Sequence, residues 1–378
     1  MNALRQRLQE LAAQIGLVLL GIGPARPPAA HLAVYDQWLA AGHQAGMAYL
    51  ARPDTRAGRT DPARLLPGAQ SVVVVGLRHS GPPPLATAPG PEFGRIAAYA
   101  WGRDYHQVLP EKLQILADCL QADLPGLAWK AVTDSAPLLE RSLAWQAGLG
   151  WIGRNTCLIS PQWGSFLLLG ELLLDRGLEF EAPFSSDHCG SCQRCINACP
   201  TGCIGADRTL DARRCLAYLT IEHKGAIPAE LRPALGSQIF GCDICQQVCP
   251  WNRKWLDTPG DAALAPRPEL VAPRLIPELE LGPAAFQARF QETPILRTRR
   301  RGYLRNVALA LGNSQDTSAV PVLGHVLQME EEALIRAAAA WALGRINTPA
   351  GRQALEEAKK KEGEPEVRVE ILAALQNQ

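Results

Sequence analysis

The stretch C-G-S-C-Q-R-C-I-N-A-C-P at residues 189–200 decides the fold class of the region around it. Its spacing, C-x2-C-x2-C-x3-C-P, is typical of a run that binds a [4Fe–4S] cube with three cysteines and sends the fourth to a second cube. Structural zinc sites usually use two separated cysteine pairs instead. Residues 242–250, C-D-I-C-Q-Q-V-C-P, repeat the last two-thirds of this run without its first cysteine. The two runs together predict two [4Fe–4S] clusters.

Eight cysteines are predicted to hold the two clusters, because Cys215 can replace the cysteine that the second run lacks. The crossed ligand pattern assigns cluster one to Cys189, Cys192, Cys195 and Cys249. It assigns cluster two to Cys199, Cys215, Cys242 and Cys245. Cys203 is left over, and we expect it to be a small packed residue.

Length and composition place these motifs in a larger protein. A chain of 378 residues predicts two or three domains. Lys+Arg 38 and Asp+Glu 37 nearly cancel, so any nucleic-acid binding must come from a local patch. No export signal and no apolar run of about 18 residues is present, which argues against a disulfide framework or a membrane span. We therefore expect a cytoplasmic protein with no membrane contact.

Residues 1–180 have the pattern of an α/β region. The apolar, branched segments 17–20 and 71–77 predict buried strands, and helices are predicted over 31–51, 105–122 and 134–149. Neither a G-x-G-x-x-G turn after a strand nor a phosphate-binding P-loop occurs. The motifs Y-A-W-G-R-D-Y-H (99–106), D-S-A-P-L-L-E-R (134–141) and G-L-G-W-I-G-R-N (148–155) concentrate aromatic, glycine and ionisable residues in turns. They indicate a pocket for a large planar ligand, or else glycine turns with core tryptophans.

The C-terminal region contains a repeat. R-N-V-A-L-A-L-G (305–312) recurs at 336–344 and 368–375, and Gly312 and Gly344 are 32 residues apart. Small and apolar residues at this period predict stacked helix pairs of the HEAT type. The Pro-rich stretch before the repeat predicts an extended connection. The resulting divisions are 1–180, a double-cluster ferredoxin-like module at 181–256, a linker at 257–296, and a HEAT-like domain at 297–378.

A run of arginines, R-T-R-R-R-G-Y-L-R, precedes the repeat. Arginines without acidic neighbours can neutralise phosphates and release counterions, although such a run is also typical of a solvated helix start. His223 and Lys224, between the cluster motifs, are placed to approach the same nucleic acid. The predicted tRNA-binding residues are His223, Lys224, Arg297, Arg299, Arg300, Arg301 and Arg305.

The ordered set of these motifs, with R-C-L-A-Y-L-T-I-E (214–222) between the cluster runs, resembles the epoxyqueuosine reductases over nearly the whole chain. The resemblance implies an α/β cobalamin-binding domain like those of nitroreductases and reductive dehalogenases, a two-[4Fe–4S] ferredoxin-like module and an α-helical HEAT-like domain. It implies reduction of epoxyqueuosine to queuosine at the wobble position of the tRNA anticodon arm. It also implies a monomer that receives electrons from a flavodoxin or ferredoxin system. One departure is Arg154, where lysine is expected.

The resemblance also implies site residues. Asp134 matches the family's proposed proton donor, and its alternative role is a helix N-cap. The implied cobalamin contacts are Arg59, Tyr99, Asp134, Arg141, Gly153, Asn155 and Ser165. The tripeptide D-Y-H (104–106) begins a D-x-H-x-x-G motif, but Leu109 replaces its glycine. We therefore expect base-off cobalamin without an axial histidine from the protein.

Two alternatives stay open at this point. The chain could be another cobalamin-dependent reductase, such as a dehalogenase, although the arginine run and the repeats disfavour this. It could instead be a non-catalytic ferredoxin-type carrier fused to an interaction solenoid. The carrier hypothesis leaves the first 180 residues without a role.

Overall fold

The computed structural model describes residues 2–87 and 89–376. These residues form two compact units, each built from three separate segments. Unit one comprises 1–85, 102–213 and 244–265, whereas unit two comprises 86–101, 214–243 and 266–378. The compact units therefore cut across the linear divisions expected from the sequence, since residues 86–101 and 214–243 belong to the unit that contains the repeats.

Unit one is organised around an antiparallel sheet with the strand order β1-β2-β7-β4. The strands of the chain are β1 (Leu17–Pro24), β2 (Ser71–Arg78), β3 (Arg95–Ile96), β4 (Trp129–Val132), β5 (Trp151–Ile152), β6 (Leu158–Ile159), β7 (Leu167–Leu174) and β8 (Gln238–Phe240). Strands β5 and β6 form an antiparallel hairpin in unit one, and β3 pairs parallel with β8 in unit two.

The central strand β2 shows why this sheet forms. Val73, Val75 and Leu77 face one hydrophobic core, and Val72 and Val74 face another. A strand buried on both faces has a continuous apolar run rather than an alternating one. Segments 17–20 and 71–77 are therefore confirmed as strands, whereas β4 and β7 were not predicted from the sequence.

Helices cover both faces of the sheet. The α-helices are α1 (Asn2–Gln14), α2 (Ala29–Ala40), α3 (Pro53–Thr60), α4 (Tyr105–Asp123), α5 (Glu140–Gln146), α6 (Arg194–Ala198), α7 (Leu216–Ile221), α8 (Ile244–Gln247), α9 (Pro268–Val271), α10 (Leu275–Leu279), α11 (Pro283–Phe290), α12 (Arg299–Ser314), α13 (Val320–Met329), α14 (Ala333–Ile346), α15 (Pro349–Lys359) and α16 (Pro365–Gln376). Helices α1 and α4 pack in the first core, and α5 packs in the second.

Two predicted helices are shorter than expected. Helix α4 confirms the prediction at 105–122, but α2 ends at Ala40 and α5 begins only at Glu140. Pro137 disfavours a helical conformation for the residue before it, so residues 134–139 form a loop. This loop carries Asp134.

The prediction of an extended linker at 257–296 is wrong. The segment folds into α9, α10 and α11, with Phe286 and Phe290 buried. Pro268 and Pro283 occupy the first turns of α9 and α11, where proline's missing N–H and fixed φ are tolerated. The prolines that suggested an extended chain thus begin helices.

The repeat helices pack as the 32-residue period predicts. Helix α12 packs on α14, and α14 packs on α16. A Cβ added at Gly312 would lie 2.8 Å from the Cα of Ala342, and one at Gly344 would lie 2.8 Å from the Cα of Ala374. Each repeat glycine therefore allows its helix to approach an alanine of the next repeat.

Within the described part of the chain, no helix is long and apolar enough to cross a membrane.

Candidate active site and cluster-binding cysteines

Four cysteines of unit one line one small cavity, which we call the cysteine cage. Its members are Cys189, Cys192, Cys195 and Cys249. The first three come from the 189–195 run at the start of α6, and Cys249 follows α8. Four thiolates are the donor set of a [4Fe–4S] cube. The structure thus brings together the four predicted ligands of cluster one, including the crossed ligand from the second run.

The loop of the cysteine cage is held by Arg154. Its Nη1 donates to the carbonyl of Ala206 at 3.1 Å, and its Nη2 donates to the carbonyl of Gly190 at 2.9 Å. A guanidinium fork can make both hydrogen bonds at once with fixed geometry, which a lysine ammonium does not provide. The arginine that departs from the family pattern therefore supports the cage.

The cysteines assigned to cluster two are distributed between the units. Cys199 and Cys245 belong to unit one, and Cys215 and Cys242 belong to unit two. Their joint role stays a prediction. Cys203 is 5% exposed, so its predicted packing is confirmed, and its Sγ lies 3.4 Å from the Sγ of Cys199.

A second, much larger cavity of unit one has a volume of about 870 Å³. Its walls include His31, Tyr35 and Trp38 of α2, and Trp145 of α5. This volume is near the upper end for small-molecule and cofactor sites. The α2 side chains were missed at the sequence level, although their i, i+4, i+7 spacing places them on one helix face.

Two residues that line this large cavity, His31 and Arg59, each have a buried polar atom without a hydrogen-bond partner among the described residues. These atoms are the Nδ1 of His31 and the Nε of Arg59. The Arg59 guanidinium lies 5.2 Å from the centre of the Tyr35 ring, and its Nη1 donates to the Tyr35 hydroxyl at 3.2 Å. Burial lowers the pKa of His31, which favours its neutral form. The wall therefore combines aromatic surface with an imidazole and a guanidinium side chain.

Asp134 lies on the wall of the large cavity, in the loop that follows β4. Its backbone is left-handed, with φ 52°, and its side chain is 59% exposed. Its Oδ2 accepts a hydrogen bond from the Tyr105 hydroxyl at 2.7 Å and lies 3.2 Å from the Nε2 of His106. The alternative role as a helix N-cap is wrong, because α5 begins six residues later with Leu139 as its N-cap.

His106 lies between two carboxylates. Its Nδ1 is 2.7 Å from the Oδ1 of Asp104, and its Nε2 contacts Asp134. Hydrogen bonds to Asp104, and then to Asp134, raise the pKa of His106 to about 9. The ring is therefore an imidazolium at neutral pH. Its engaged nitrogens support the expectation that His106 is not an axial cobalt ligand.

A pair of buried glutamates lies behind Asp134. The side chain of Glu140 accepts a hydrogen bond from the backbone N–H of Asp134. Burial, and then the charge of Asp134, raises the pKa of Glu140 to about 7. Burial, and then the charge of Glu140, raises the pKa of Glu171 well above its usual range. Burial and the nearby Glu140 charge therefore both favour the protonated form of Glu171.

The predicted cobalamin contacts do not all reach the large cavity. Arg59, Asp134 and Arg141 line it. Asn155 lines the cysteine cage instead, because the turn that contains it folds toward the cysteines. Tyr99 belongs to unit two, where its ring packs near Phe240.

Gly153 and Ser165 have structural contacts. A Cβ at Gly153 would lie 2.5 Å from the Cδ1 of Ile159, so a larger residue there would displace the end of that side chain. Ser165 is buried; its N–H donates to the Oδ1 of Asn252, and its hydroxyl donates to the Oε1 of Gln246. Neither residue lines the large cavity described here.

The arginine run of unit two divides into exposed and buried members. Arg305 is 1% exposed, and its guanidinium donates to the carbonyls of Leu219, His223 and Gly225. Its predicted contact with tRNA phosphates is therefore wrong, because the side chain is enclosed within the fold.

The guanidinium of Arg300 also forms an ion pair within the protein. Its two terminal nitrogens pair with the carboxylate of Glu330 at 3.1 and 2.6 Å, and the side chain is 20% exposed. The prediction that Arg300 grips phosphates is corrected for this reason. Arg297, Arg299 and Lys224 are exposed, while Arg301 and His223 are half-buried; we call these five residues the basic surface.

A ligand cavity beside a four-cysteine cage, in a chain that ends in stacked helical repeats, defines an iron–sulfur oxidoreductase with a site for an organic ligand. Three family profiles match the chain. They are "Epoxyqueuosine reductase QueG, DUF1730" at 59–135, "4Fe-4S double cluster binding domain" at 188–252 and "HEAT repeats" at 294–376.

Similar proteins cover nearly the whole chain. The epoxyqueuosine reductase of Pseudomonas aeruginosa is 38% identical over 346 residues, which cover 90% of this chain and 94% of that protein. That of Escherichia coli is 38% identical over 83% of this chain and 82% of its own length. A crystal structure of epoxyqueuosine reductase with an epoxyqueuosine-modified tRNA-Tyr stem loop has a TM-score of 0.92 and 32% identity, covering 100% of this chain and 99% of that chain. The chain belongs to the epoxyqueuosine reductase family.

Proposed function

We propose that this chain reduces epoxyqueuosine to queuosine in tRNA. The reaction removes the epoxide oxygen, consumes two electrons and two protons, and releases water. The observation that carries the proposal is the large cavity of unit one, with Asp134 on its wall and the cysteine cage beside it. The relative solved with an epoxyqueuosine-modified stem loop supports the choice of substrate.

The large cavity is proposed to bind cobalamin. The aromatic wall of α2 suits the faces of a large planar ring, and the Arg59 guanidinium on the same wall suits its polar substituents. Arg141 lines the same cavity. Cobalamin bound there would supply strongly reducing electrons to the carbon–oxygen bond, which no side chain can provide. Both nitrogens of His106 lie close to carboxylates, so His106 is not proposed to hold the cobalt. The base-off form is proposed from the family resemblance alone.

The chain's own residues are proposed to deliver protons. Asp134, on the cavity wall, is proposed to deliver a proton to the departing oxygen. The hydroxyl of Tyr105 and the ring of His106 fix the position of its Oδ2. Because His106 is protonated at neutral pH and contacts this oxygen, its proton can pass through Asp134 to the strongly basic departing alkoxide. The side chain of Glu140 anchors the backbone N–H of Asp134.

The clusters are proposed to relay electrons to the cavity one at a time. The double-cluster profile covers both cysteine runs, and the cysteine cage is the site proposed for cluster one. A flavodoxin or ferredoxin system is the proposed external donor, and the protein is proposed to act as a monomer in the cytoplasm.

The basic surface of unit two is proposed to contact the phosphates of the anticodon arm. Burial lowers the pKa of Lys224 most; the nearby Glu222 carboxylate raises it, and the charges of Arg297, Arg299 and Arg305 lower it. Three of these four charged neighbours are therefore arginines. Concentrated positive charge of this kind attracts a phosphate chain. Arg305 contributes by holding the loop that carries His223 and Lys224, through its bonds to the carbonyls of that loop.

A visible spectrum distinguishes this proposal from its alternatives. Protein purified anaerobically, incubated with cobalamin and passed through a desalting column should retain both cluster absorption and the corrin. Clusters without a retained corrin would favour the ferredoxin-type carrier. Retained corrin without affinity for an epoxyqueuosine-containing stem loop would favour another cobalamin-dependent reductase.

A further inference from the structure

Trp151 contacts both sites of unit one. Its indole lines the large cavity, and its Nε1–H donates a hydrogen bond to the Sγ of Cys189 at 3.4 Å. The residue is 2% exposed, so water does not compete for this donor. Cys189 belongs to the cysteine cage, where its sulfur would bind iron as a thiolate.

The indole is fixed in orientation by its surroundings. Trp151 pairs with Ile159 across the β5–β6 hairpin. Its ring centre lies 4.9 Å from that of His188 and 5.0 Å from that of Trp251, both at steep angles. Gly150 keeps the hairpin tight, because a Cβ there would lie 2.1 Å from the carbonyl oxygen of Ile159. The hairpin and the two neighbouring rings therefore hold the indole N–H toward the Cys189 sulfur.

We propose that the Trp151 N–H···S hydrogen bond raises the reduction potential of cluster one. The cluster gains one electron from the external donor, and the added negative charge is shared with its thiolate sulfurs. A donor aimed at one of these sulfurs stabilises the reduced state more than the oxidised state. The inference goes beyond the proposed reaction and rests on cluster one occupying the cysteine cage.

A conservative pair of variants isolates the hydrogen bond. Trp151→Phe removes the N–H and keeps an aromatic ring in the hairpin. Trp251→Phe is the matched control. Trp251 also lines the cysteine cage and packs on Trp151, but the indole that donates to the Cys189 sulfur is that of Trp151. Both holoproteins are titrated anaerobically with a reductant, and each cluster is followed by its EPR signal.

We expect Trp151→Phe to shift the midpoint potential of cluster one to a more negative value and to leave cluster two unchanged. Trp251→Phe should leave both midpoints near those of the unaltered protein. An unchanged cluster-one midpoint in Trp151→Phe, with full iron content, would overturn the inference. An equal shift in both variants would also overturn it, because loss of packing would then explain the change.

A measurement on the unaltered protein covers the case in which Trp151→Phe fails to fold. Tryptophan labelled with ¹⁵N at the indole nitrogen should give a weak hyperfine coupling in ENDOR spectra of reduced cluster one. Absence of this coupling in protein with an intact cluster signal would contradict the hydrogen bond. Absence of any cluster-one signal in fully reconstituted protein would instead contradict the proposed cluster site, so the two failures are distinguishable.

Discussion

Asp134 differs from an ordinary loop carboxylate in having both its backbone and its side chain engaged. Its N–H donates to Glu140, while its Oδ2 contacts Tyr105 and His106 at the wall of the large cavity. The left-handed backbone at this position favours Asp, Asn or Gly over other residues. The geometry therefore presents a carboxyl to the cavity rather than capping a helix.

Asp134→Ala and Asp134→Asn are both expected to lower turnover by roughly 10²-fold or more, the scale of a positioned general acid. Asn tolerates the left-handed backbone but carries no transferable acidic proton. Turnover is measured with cluster and cobalamin contents matched to the unaltered protein. Asp36→Asn, at a surface pair with Arg56, serves as the control. Near-normal turnover in Asp134→Asn would remove the proton-donor role.

The charge of His106 should make stability depend on pH in a defined window. Its folded-state pKa is raised to about 9, above an ordinary value of 6.5. Its stabilising contribution is therefore complete below about pH 6.5 and is lost as the pH rises through about 9. NMR titration of the ring, and the pH dependence of Tm in the unaltered protein and in His106→Gln, test this. A ring that titrates near 6.5 would contradict the carboxylate contacts.

At the residue scale, the sequence predicted the cysteine cage because ligand spacing is local. It did not separate Arg305 from Arg299, since members of one charge run look alike in the sequence. Their difference comes from the carbonyls of Leu219, His223 and Gly225, which only the tertiary structure brings to Arg305. The aromatic wall of α2 was missed because no motif marks it.

At the scale of secondary-structure elements, the packing of the repeat helices depends on two places where neighbouring helices come close together. Helix α12 passes Ala342 at Gly312, and α14 passes Ala374 at Gly344. Side-chain volume at either glycine must push these helices apart, so the period in the sequence reflects a packing requirement.

Gly312→Ala is expected to destabilise the repeats by about 1–3 kcal/mol, the usual cost of overpacking. Its Cβ would lie 2.8 Å from the Cα of Ala342. The matched control is Gly324→Ala in α13, where the added Cβ would meet the Cβ of Ala354 at 3.4 Å. That control should be neutral or stabilising, because alanine favours helix by about 1 kcal/mol. Hydrogen exchange of the repeat helices measures both, and equal protection in the two variants would contradict the packing.

The exposed part of the basic surface should control tRNA affinity. Replacing Lys224 and Arg299 together by alanine should weaken binding of a tRNA stem loop. Each lost phosphate contact should reduce the log–log salt slope by up to about 0.9. Arg345→Ala and Arg352→Ala are controls, since both arginines are exposed on other repeat helices. Fluorescence titration at several salt concentrations measures the slope. An unchanged salt slope in the Lys224 and Arg299 double variant would contradict the proposed phosphate contacts.

The elements also show which sequence signals were reliable. The apolar runs of β1 and β2 and the helix α4 were predicted, because their patterns match their burial. The strand β7 carries Glu171 in an apolar run, and this charge obscured a strand that is buried on both sides. Prolines in 257–296 suggested an extended chain, but several of them begin helices.

For the whole molecule, local motifs could not give the division into units. Each unit combines distant segments, so residues 214–243 join the repeats while 244–265 join the sheet. The cysteine cage nevertheless draws Cys249 from the second run to the cysteines of the first, as the crossed spacing predicted. The family assignment and the cavity of unit one then point to the same chemistry.

The most direct measurement is single-turnover conversion of an epoxyqueuosine-containing tRNA stem loop, followed by mass spectrometry of the released nucleosides. Protein loaded anaerobically with clusters and cobalamin, and supplied with a low-potential reductant, should convert epoxyqueuosine to queuosine. Protein with clusters but without cobalamin should not. Absence of queuosine with fully loaded, reduced protein that binds the stem loop would contradict the proposed function.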